Sequence, residues 1–474
     1  MNSQNSETQE EIKNISLQKR KATSYAIMIV IAIAFGGFLF GYDQGVIAGA
    51  LPFIGQVFHL TPSMTGFVSG AVPLGAMMGC AFVGILADKF GRRPVLVVAS
   101  ILFMISGVMS GLTISVEMLI IARLIGGMAV GMASTIVPLL IAEFAPQKIR
   151  GAMVGGYQLA IVIGMFATYL INYAIASTHT QTWGEHTGWR IMLFMAMVPG
   201  VIFFILMFIV PESPRFLIKV GKGEKVPGIL KKFYVGATNS EVADEVESIK
   251  VSIADESKGS YKQLFAKGVR VTLLIAVLMG IFQQLSGVNA INYYAPTIFK
   301  DAGLGTNAAL FQSVFIALVK VIFVVVFMVL VDRLGRKRLL LIGSVGMGVV
   351  MGLLSWAFTH NPMTVAMDIF IIAMVAMFMV FFEIGMGAGT WVLISELFPT
   401  QIRARAASIA SFALWAATYA VTQAFPIMVA NLGAVATFAV FSIFGFGMFI
   451  FIKFAIRETN GKSLEEIQEE VESR

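Results

Sequence analysis

Apolar residues run along this chain in blocks about as long as a bilayer is thick, separated by polar stretches. A helix rises about 1.5 Å per residue, so about 20 apolar residues cross a hydrocarbon core of ~30 Å. Twelve blocks qualify: roughly 24–50, 64–87, 94–115, 117–143, 151–176, 189–210, 269–299, 308–331, 338–358, 364–395, 402–430 and 433–456. The first follows a polar start that closes in Lys19, Arg20 and Lys21. It runs for about 27 residues without a small-residue cleavage pattern, so it reads as a spanning helix and not a signal peptide. The pattern predicts an all-α integral membrane protein with twelve transmembrane helices.

The polar stretches alternate in charge. Lys89, Arg92 and Arg93 fall in one, Lys148 and Arg150 in another, Arg333, Arg336, Lys337 and Arg338 in a third, Arg403 and Arg405 in a fourth. The stretches between them, 51–63, 359–363 and 431–432, carry no Lys or Arg, with Arg190 and Lys300 as the exceptions on that side. Basic loops mark the cytoplasmic face, so both termini are expected there. One long polar stretch, 211–267, holds ten Lys/Arg and eight Asp/Glu and divides six helices from six. The expected organisation is a cytoplasmic N-tail (1–21), a six-helix bundle (22–210), a cytoplasmic linker with short helices (211–267), a second bundle (268–456) and a cytoplasmic C-tail (457–474). In that tail Ser463 and Glu466 form a capping-box pattern, with Leu464, Ile467 and Val471 on one helical face.

Composition narrows the chemistry. Apolar residues make up 57% of the chain and charged residues only 13%, against about 25% charged in a soluble domain. The single cysteine, Cys80, permits no internal disulfide and no cysteine metal site. His59, His179, His186 and His360 all fall between apolar blocks, so no metal or cofactor is expected. The net charge of +7 reads as membrane topology, not as a nucleic-acid surface.

The two halves repeat each other. Asp88-Lys-Phe-Gly-Arg-Arg93 returns as Asp332-Arg-Leu-Gly-Arg-Lys337, and Glu143-x-x-Pro146-x-x-x-Arg150 returns as Glu396-x-x-Pro399-x-x-x-Arg403. Two related six-helix halves with a site between them near the midplane are a transporter architecture.

Beyond these motifs the chain resembles the sugar porters of the major facilitator superfamily. The resemblance rests on GYDQGVIAGA (41–50), DKFGRR (88–93), PLLIAEFAPQKIRG (138–151), PESPRFL (211–217), QQLSGVNAINYY (283–294), DRLGRK (332–337), SELFPTQIR (395–403) and RETNGKSLEE (457–466). It covers nearly the whole chain in the right order, with Arg457 where the family usually has Pro. It implies alternating access, a sugar or polyol held mainly by the C-terminal half, and proton symport where an acid stands in the GYD position. It also implies a monomer in the cytoplasmic membrane of a bacterium-like cell, with no reaction catalysed.

Ionisable residues inside a membrane are costly and need a reason. Asp43 and Arg123 lie roughly 12 and 9 Å below the outer ends of their predicted helices, at a shared level. A protonatable acid beside a fixed cation suits proton coupling; a permanent buried ion pair is the plainer reading. In the C-terminal half Gln283, Gln284, Asn289, Trp391 and Trp415 line the sugar by resemblance, with Gln158 as the contact from the N-terminal half. Amides also serve as glue between helices. Tyr293 and Tyr294 are expected at an outer gate. Arg92, Arg150, Arg336 and Arg403 could pair with Glu143, Glu396 and Glu212, with Arg215 nearby, as a cytoplasmic gate; the plainer reading is topology alone. Gly127 and Gly131 read as close helix packing.

Three further positions depart from the family pattern: Lys320 where a sugar-binding Asn is usual, Leu414 where an amide is common, and Gly387-Ala388 in place of Gly-Pro. Gly385, Gly387 and Gly389 would then carry the helix break. Lys320 has three readings: a pair with Glu383, a contact to an anionic substrate such as a uronate, or a neutral amine. The function expected is proton-coupled uptake of a monosaccharide or polyol. The rivals are an uncoupled facilitator, a uronate or inositol symporter, and a nutrient sensor built on the same fold, which the short tail disfavours.

Overall fold

A computed structural model describes residues 22–145, 150–257, 264–266, 269–360, 364–396 and 400–456, together with Leu17 and Phe398. The predicted tail helix at 463–471 lies outside the described residues. The described chain is helical, its one extended contact being an isolated antiparallel bridge between Ala22 and Tyr234.

The first six crossings are α1 (Ser24–Val57), α2 (Pro62–Phe90), α3 (Arg92–Gly111), α4 (Val116–Phe144), α5 (Arg150–Ser177) and α6 (Gln181–Ile209). Polar-to-apolar boundaries are capped by hydroxyls, which satisfy N–H groups that have no partner within the helix. Thr23 accepts from the Ala26 N–H, Thr61 from that of Met64, and Ser115 from that of Met118. The polar stretch folds into the short helices α7 (Pro214–Lys219), α8 (Val226–Phe233) and α9 (Asn239–Ser257). Phe233 of α8 stacks on Phe144 at the end of α4, with ring centroids 4.8 Å apart, so the linker is docked on the first half.

The second half holds α10 (Val269–Leu285), α11 (Val288–Asp301), α12 (Thr306–Leu334), α13 (Arg336–Ala357), α14 (Val365–Phe382), α15 (Ala388–Glu396) and α16 (Thr400–Ala455). Among the described residues eleven helices are long and apolar enough to cross a membrane. The last of them spans 51 residues and contains Gly433 at φ 79° and ψ 165°, a non-helical break that makes two crossings of one run. The twelve predicted spans are thereby recovered.

Two breaks go beyond the apolar pattern. The block at 269–299 is not one helix: Gly287 turns left-handed (φ 87°) and separates α10 from α11, a conformation open mainly to glycine. The block at 364–395 is interrupted by a π-helical turn, Glu383–Gly387, at the Gly-rich stretch where a break was expected. Discontinuous helices and π turns concentrate at transporter and other functional sites. α1 also continues past Leu51 to Val57, so Asp43 sits deeper from the helix end than the sequence suggested.

The repeated Asp-x-x-Gly motifs fold alike. Gly91 (φ 102°, ψ 165°) joins α2 to α3, and Gly335 (φ 85°, ψ 154°) joins α12 to α13. Gly127 and Gly131 of α4 lie against backbone carbonyls of Val72 and Ala76 in α2, where a Cβ would collide. Small residues at such crossings let helices approach within backbone contact. Ile31, Ile85, Ile114, Ile443 and Phe454 point outward and exposed, as a lipid-facing surface requires.

Candidate substrate and coupling site

Asp43 and Arg123 meet as expected. Arg123 Nη1 donates to Asp43 Oδ1 at 2.6 Å and Nη2 to Oδ2 at 3.1 Å, a bidentate pair with each residue 2% exposed. A planar fork facing a carboxylate is the strongest geometry for such a pair.

The next residue along, Gln44, was not singled out by the sequence reading. Its Nε2 donates to Asn289 Oδ1 at 3.1 Å, joining α1 to the first turn of α11. Asn289 Nδ2 donates to Gln284 Oε1 at 2.5 Å, and Gln284 Nε2 to Gln283 Oε1 at 3.2 Å. Gln283 Nε2 then donates to the Met386 carbonyl at 2.6 Å, inside the π turn. A string of amides thus runs from the helix of Asp43 to the break before α15. The break at Gly287 is what brings the end of α10 and the start of α11 together around it.

A second branch leaves Asn289. Asn292 Nδ2 approaches Asn289 Oδ1 at 3.4 Å, and Asn292 Oδ1 accepts from Lys320 Nζ at 3.1 Å. Lys320 Nζ lies 3.6 Å from Glu383 Oε1, with Lys320 3% and Glu383 1% exposed. Glu383 Oε2 accepts from Gln158 Nε2 of α5 at 3.5 Å. The Lys320–Glu383 pair therefore forms, and it sits between the halves. Asn292, like Gln44, was missed; both stand within motifs already quoted, and only their three-dimensional neighbours distinguish them.

The aromatic residues divide. Trp415 is buried, its ring 5.2 Å from Phe40 of α1. Trp391 is not enclosed with it: 39% of its surface is exposed. Tyr293 and Tyr294 are fully buried in α11, and Tyr294 donates to the Thr422 carbonyl of α16 at 3.0 Å. Tyr169 of α5 donates to the Asn292 carbonyl at 2.6 Å, and Gln423 of α16 to the Ser63 carbonyl of α2 at 3.0 Å. The Tyr169 and Gln423 contacts tie the two halves together on the side opposite the repeated motifs, while the Tyr294 contact joins α11 to α16 within the second half.

At the motif end, Arg92 Nη2 is 3.4 Å from Glu143 and its Nη1 3.6 Å from Asp88, while Lys219 reaches Asp88 at 3.1 Å. Glu212 takes a different part from the side-chain pairing expected. Its carboxylate accepts from the backbone N–H groups of Arg92 (3.0 Å) and Arg93 (3.3 Å), closing the N-terminus of α3, where a negative charge is favoured. Arg215 donates to Ser252 of α9 at 3.0 Å. Arg336 opens α13 just after Gly335, as Arg92 opens α3. The side chains of Arg150, Glu396 and Arg403 lie outside the described residues. Arg190, an apparent violation of the charge pattern, donates to the Thr113 carbonyl and stacks over Trp189, 4.2 Å from its ring centre.

Comparison with known proteins agrees with this architecture. The sequence model of the family described as "Sugar (and other) transporter" matches residues 29–471. The arabinose-proton symporter of Bacillus subtilis is 41% identical over 455 residues, spanning 96% of this chain and 97% of that protein. The D-xylose-proton symporter of Escherichia coli is 36% identical, spanning 94% of this chain and 96% of that one. Among solved structures, the proton:xylose symporter XylE bound to 6-bromo-6-deoxy-D-glucose superposes with a TM-score of 0.80 at 35% identity, covering 94% of this chain and 99% of that one. A partially occluded inward-open form of the E. coli xylose transporter gives 0.82 at 33% identity, covering 93% and 100%. The chain belongs to the sugar transporter family of the major facilitator superfamily, and is a multi-pass membrane transporter, not an enzyme.

Proposed function

We propose that this protein takes up a neutral monosaccharide across the cell membrane together with a proton, as a monomer working by alternating access. The observation that carries the reading is the buried Asp43–Arg123 pair, one residue from the Gln44–Asn289 hydrogen bond that links it to the amide cluster. Amides donate and accept at once, which suits hydroxyl-rich ligands. Gln158, Gln283, Gln284, Asn289 and Trp415 hold the sugar, and Trp391 closes on it from α15. Relatives named as arabinose- and xylose-proton symporters make pentoses the first candidates.

In the cycle, a proton taken up by Asp43 removes the charge that holds Arg123. Release of the proton on the other side restores the pair. The motif end faces the cytoplasm, as do both termini, and residues 22–210 and 268–456 form the two bundles that rock about the site. The opposite end, sealed between the halves through Tyr169 and Gln423, with Tyr293 and Tyr294 buried beside them, is the extracellular gate. Arg92, Glu143 and Glu212, together with Arg150, Arg215, Arg336, Glu396 and Arg403, set the balance between the two states at the cytoplasmic end.

The test is uptake of radiolabelled L-arabinose, D-xylose, hexoses and inositol into membrane vesicles, with and without an imposed proton gradient. Accumulation of one neutral sugar above its outside concentration, abolished by a protonophore, is the expected result. Equilibration to equal concentrations regardless of the gradient would make the protein an uncoupled facilitator.

A further inference from the structure

Lys320 is the residue least expected in a sugar site, and its surroundings define what it does. Three groups face its ammonium: Asn292 Oδ1 at 3.1 Å, Met165 Sδ of α5 at 3.4 Å and Glu383 Oε1 at 3.6 Å. The first is a good hydrogen bond, the second a weak one, and the third is beyond hydrogen-bond reach. Glu383 Oε1 is buried and accepts no hydrogen bond, although a carboxylate oxygen offers about two acceptor sites. Its other oxygen reaches only Gln158, at 3.5 Å. Gly387 keeps the space beside that oxygen free, since a Cβ there would come within 2.5 Å of it. The ammonium and the carboxylate thus lie close enough to cancel in charge, yet too far apart to satisfy each other.

We propose that Lys320 and Glu383 form a net-neutral clamp for one substrate hydroxyl and thereby restrict the site to uncharged sugars. This rests on the sugar-uptake reading above. A hydroxyl carries one donor and two acceptor lone pairs. Seated between the two groups, it donates to Glu383 Oε1 and accepts from Lys320. A uronate carboxylate in that position meets the Glu383 charge, and an amino-sugar ammonium meets the Lys320 charge. Like charges brought together in this way exclude the wrong ligand more strongly than a merely poor fit. The clamp also explains how a lysine is tolerated where a neutral amide is usual: Glu383 neutralises it in the absence of substrate. The contacts to Gln158 and Met165 belong to α5 of the first half, so separation of the halves frees both charged groups for the ligand.

The test is competition against uptake of the accepted neutral sugar by L-arabinose, D-galacturonate and D-galactosamine, in wild type, Glu383→Gln and Lys320→Gln. Glu383→Gln leaves the lysine unbalanced and should raise the affinity for galacturonate relative to arabinose about tenfold, and Lys320→Gln should do the same for galactosamine. Ratios within twofold of wild type in both variants would overturn the clamp while leaving sugar uptake standing. Failure of every neutral sugar to bind the wild type would remove the sugar reading and the clamp with it. Should either single variant fail to fold, the charge-balanced Lys320→Gln/Glu383→Gln protein decides through monodeoxy analogues. One missing hydroxyl should cost wild type about tenfold in affinity and the double variant less than about threefold. An equal penalty in both proteins would place that hydroxyl elsewhere.

Discussion

On the proposed cycle, replacing Asp43 by Asn should separate transport from coupling, and the number of protons moved per sugar sets the size of the effect. One buried carboxylate, facing one arginine, lies in the core of the first half. If Asp43 alone cycles a proton, each sugar moves with one proton, and a pH difference of one unit supplies about 1.4 kcal/mol, a concentration ratio of about tenfold. Among the described residues two further acids have buried side chains: Glu143, which lies at the motif end against Arg92, and Glu383, which lies 3.6 Å from Lys320. If Glu383 carried a second proton, the same gradient would support about a hundredfold ratio. In Asp43→Asn the amide oxygen still accepts from one arginine N–H, so the protein should fold. The loss of the charge nevertheless leaves Arg123 uncompensated, a type of change that costs about 3–5 kcal/mol when a buried pair is fully broken. The assay is steady-state accumulation in energised vesicles at several imposed pH differences, with sugar counterflow measured in parallel. Wild type should give a tenfold rise per pH unit, and Asp43→Asn no accumulation but measurable counterflow. Accumulation by the variant, or a hundredfold slope in wild type, would refute the assignment of coupling to this one carboxyl.

Three further outcomes follow from particular contacts. Lys320→Met and Glu383→Gln should each lower thermal stability in detergent, by up to about 3–5 kcal/mol, and the double variant should recover part of that loss; additive losses would mean that the two groups do not interact. Gly91→Ala forces a Cβ onto the Glu212 carboxylate at φ 102°, whereas Gly433→Ala at φ 79° meets open space. Both should pay the backbone cost of about 1–2 kcal/mol, and only Gly91→Ala should lose more; equal melting temperatures would remove Glu212 from its capping role. Tyr169→Phe deletes the hydrogen bond to the Asn292 carbonyl across the halves. A loss of about 1 kcal/mol should shift the outward-facing population roughly fivefold, read as labelling of a cysteine placed on the extracellular side; unchanged labelling would count against that gate.

What could be read from the chain, and what could not, divides along physical lines. Length of apolar run is set by bilayer thickness, so the twelve crossings and the polar linker were legible. Repeated Asp-x-x-Gly and Glu-x-x-Pro spacings carried the two-half architecture. Opposite charges at a common depth carried the Asp43–Arg123 pair, even though α1 proved longer than the apolar run implied. Backbone breaks were less legible. The π turn at Glu383–Gly387 was announced by clustered glycines, but Gly287 stands alone in an apolar run, and one glycine does not reveal that it turns left-handed. Glu212 was misread because its motif names a charge, not a target. Its target is a helix N-terminus, a backbone property that no side-chain pattern displays.

The connection between the two chemical centres was the least legible feature, and it bears most on function. Gln44 lies beside Asp43 in sequence but bonds to Asn289, which comes 245 residues later. Asn292 bonds back to Asn289 and on to Lys320. Both are ordinary polar residues whose meaning depends on the break before α11 and on the meeting of the halves. Through them a hydrogen-bonded route leads from the helix of Asp43 to Lys320. Two of the links between the halves, Gln44 to Asn289 and Gln158 to Glu383, join a group proposed to hold the sugar to a helix of the other half. A rocking motion that separates the halves must break these links. A sugar bridging the same amides can replace them, so occupancy of the site and closure of the halves depend on the same donors and acceptors. Binding that replaces broken contacts lowers the cost of the loaded transition selectively, and a symporter requires that its loaded and empty forms cross with different ease.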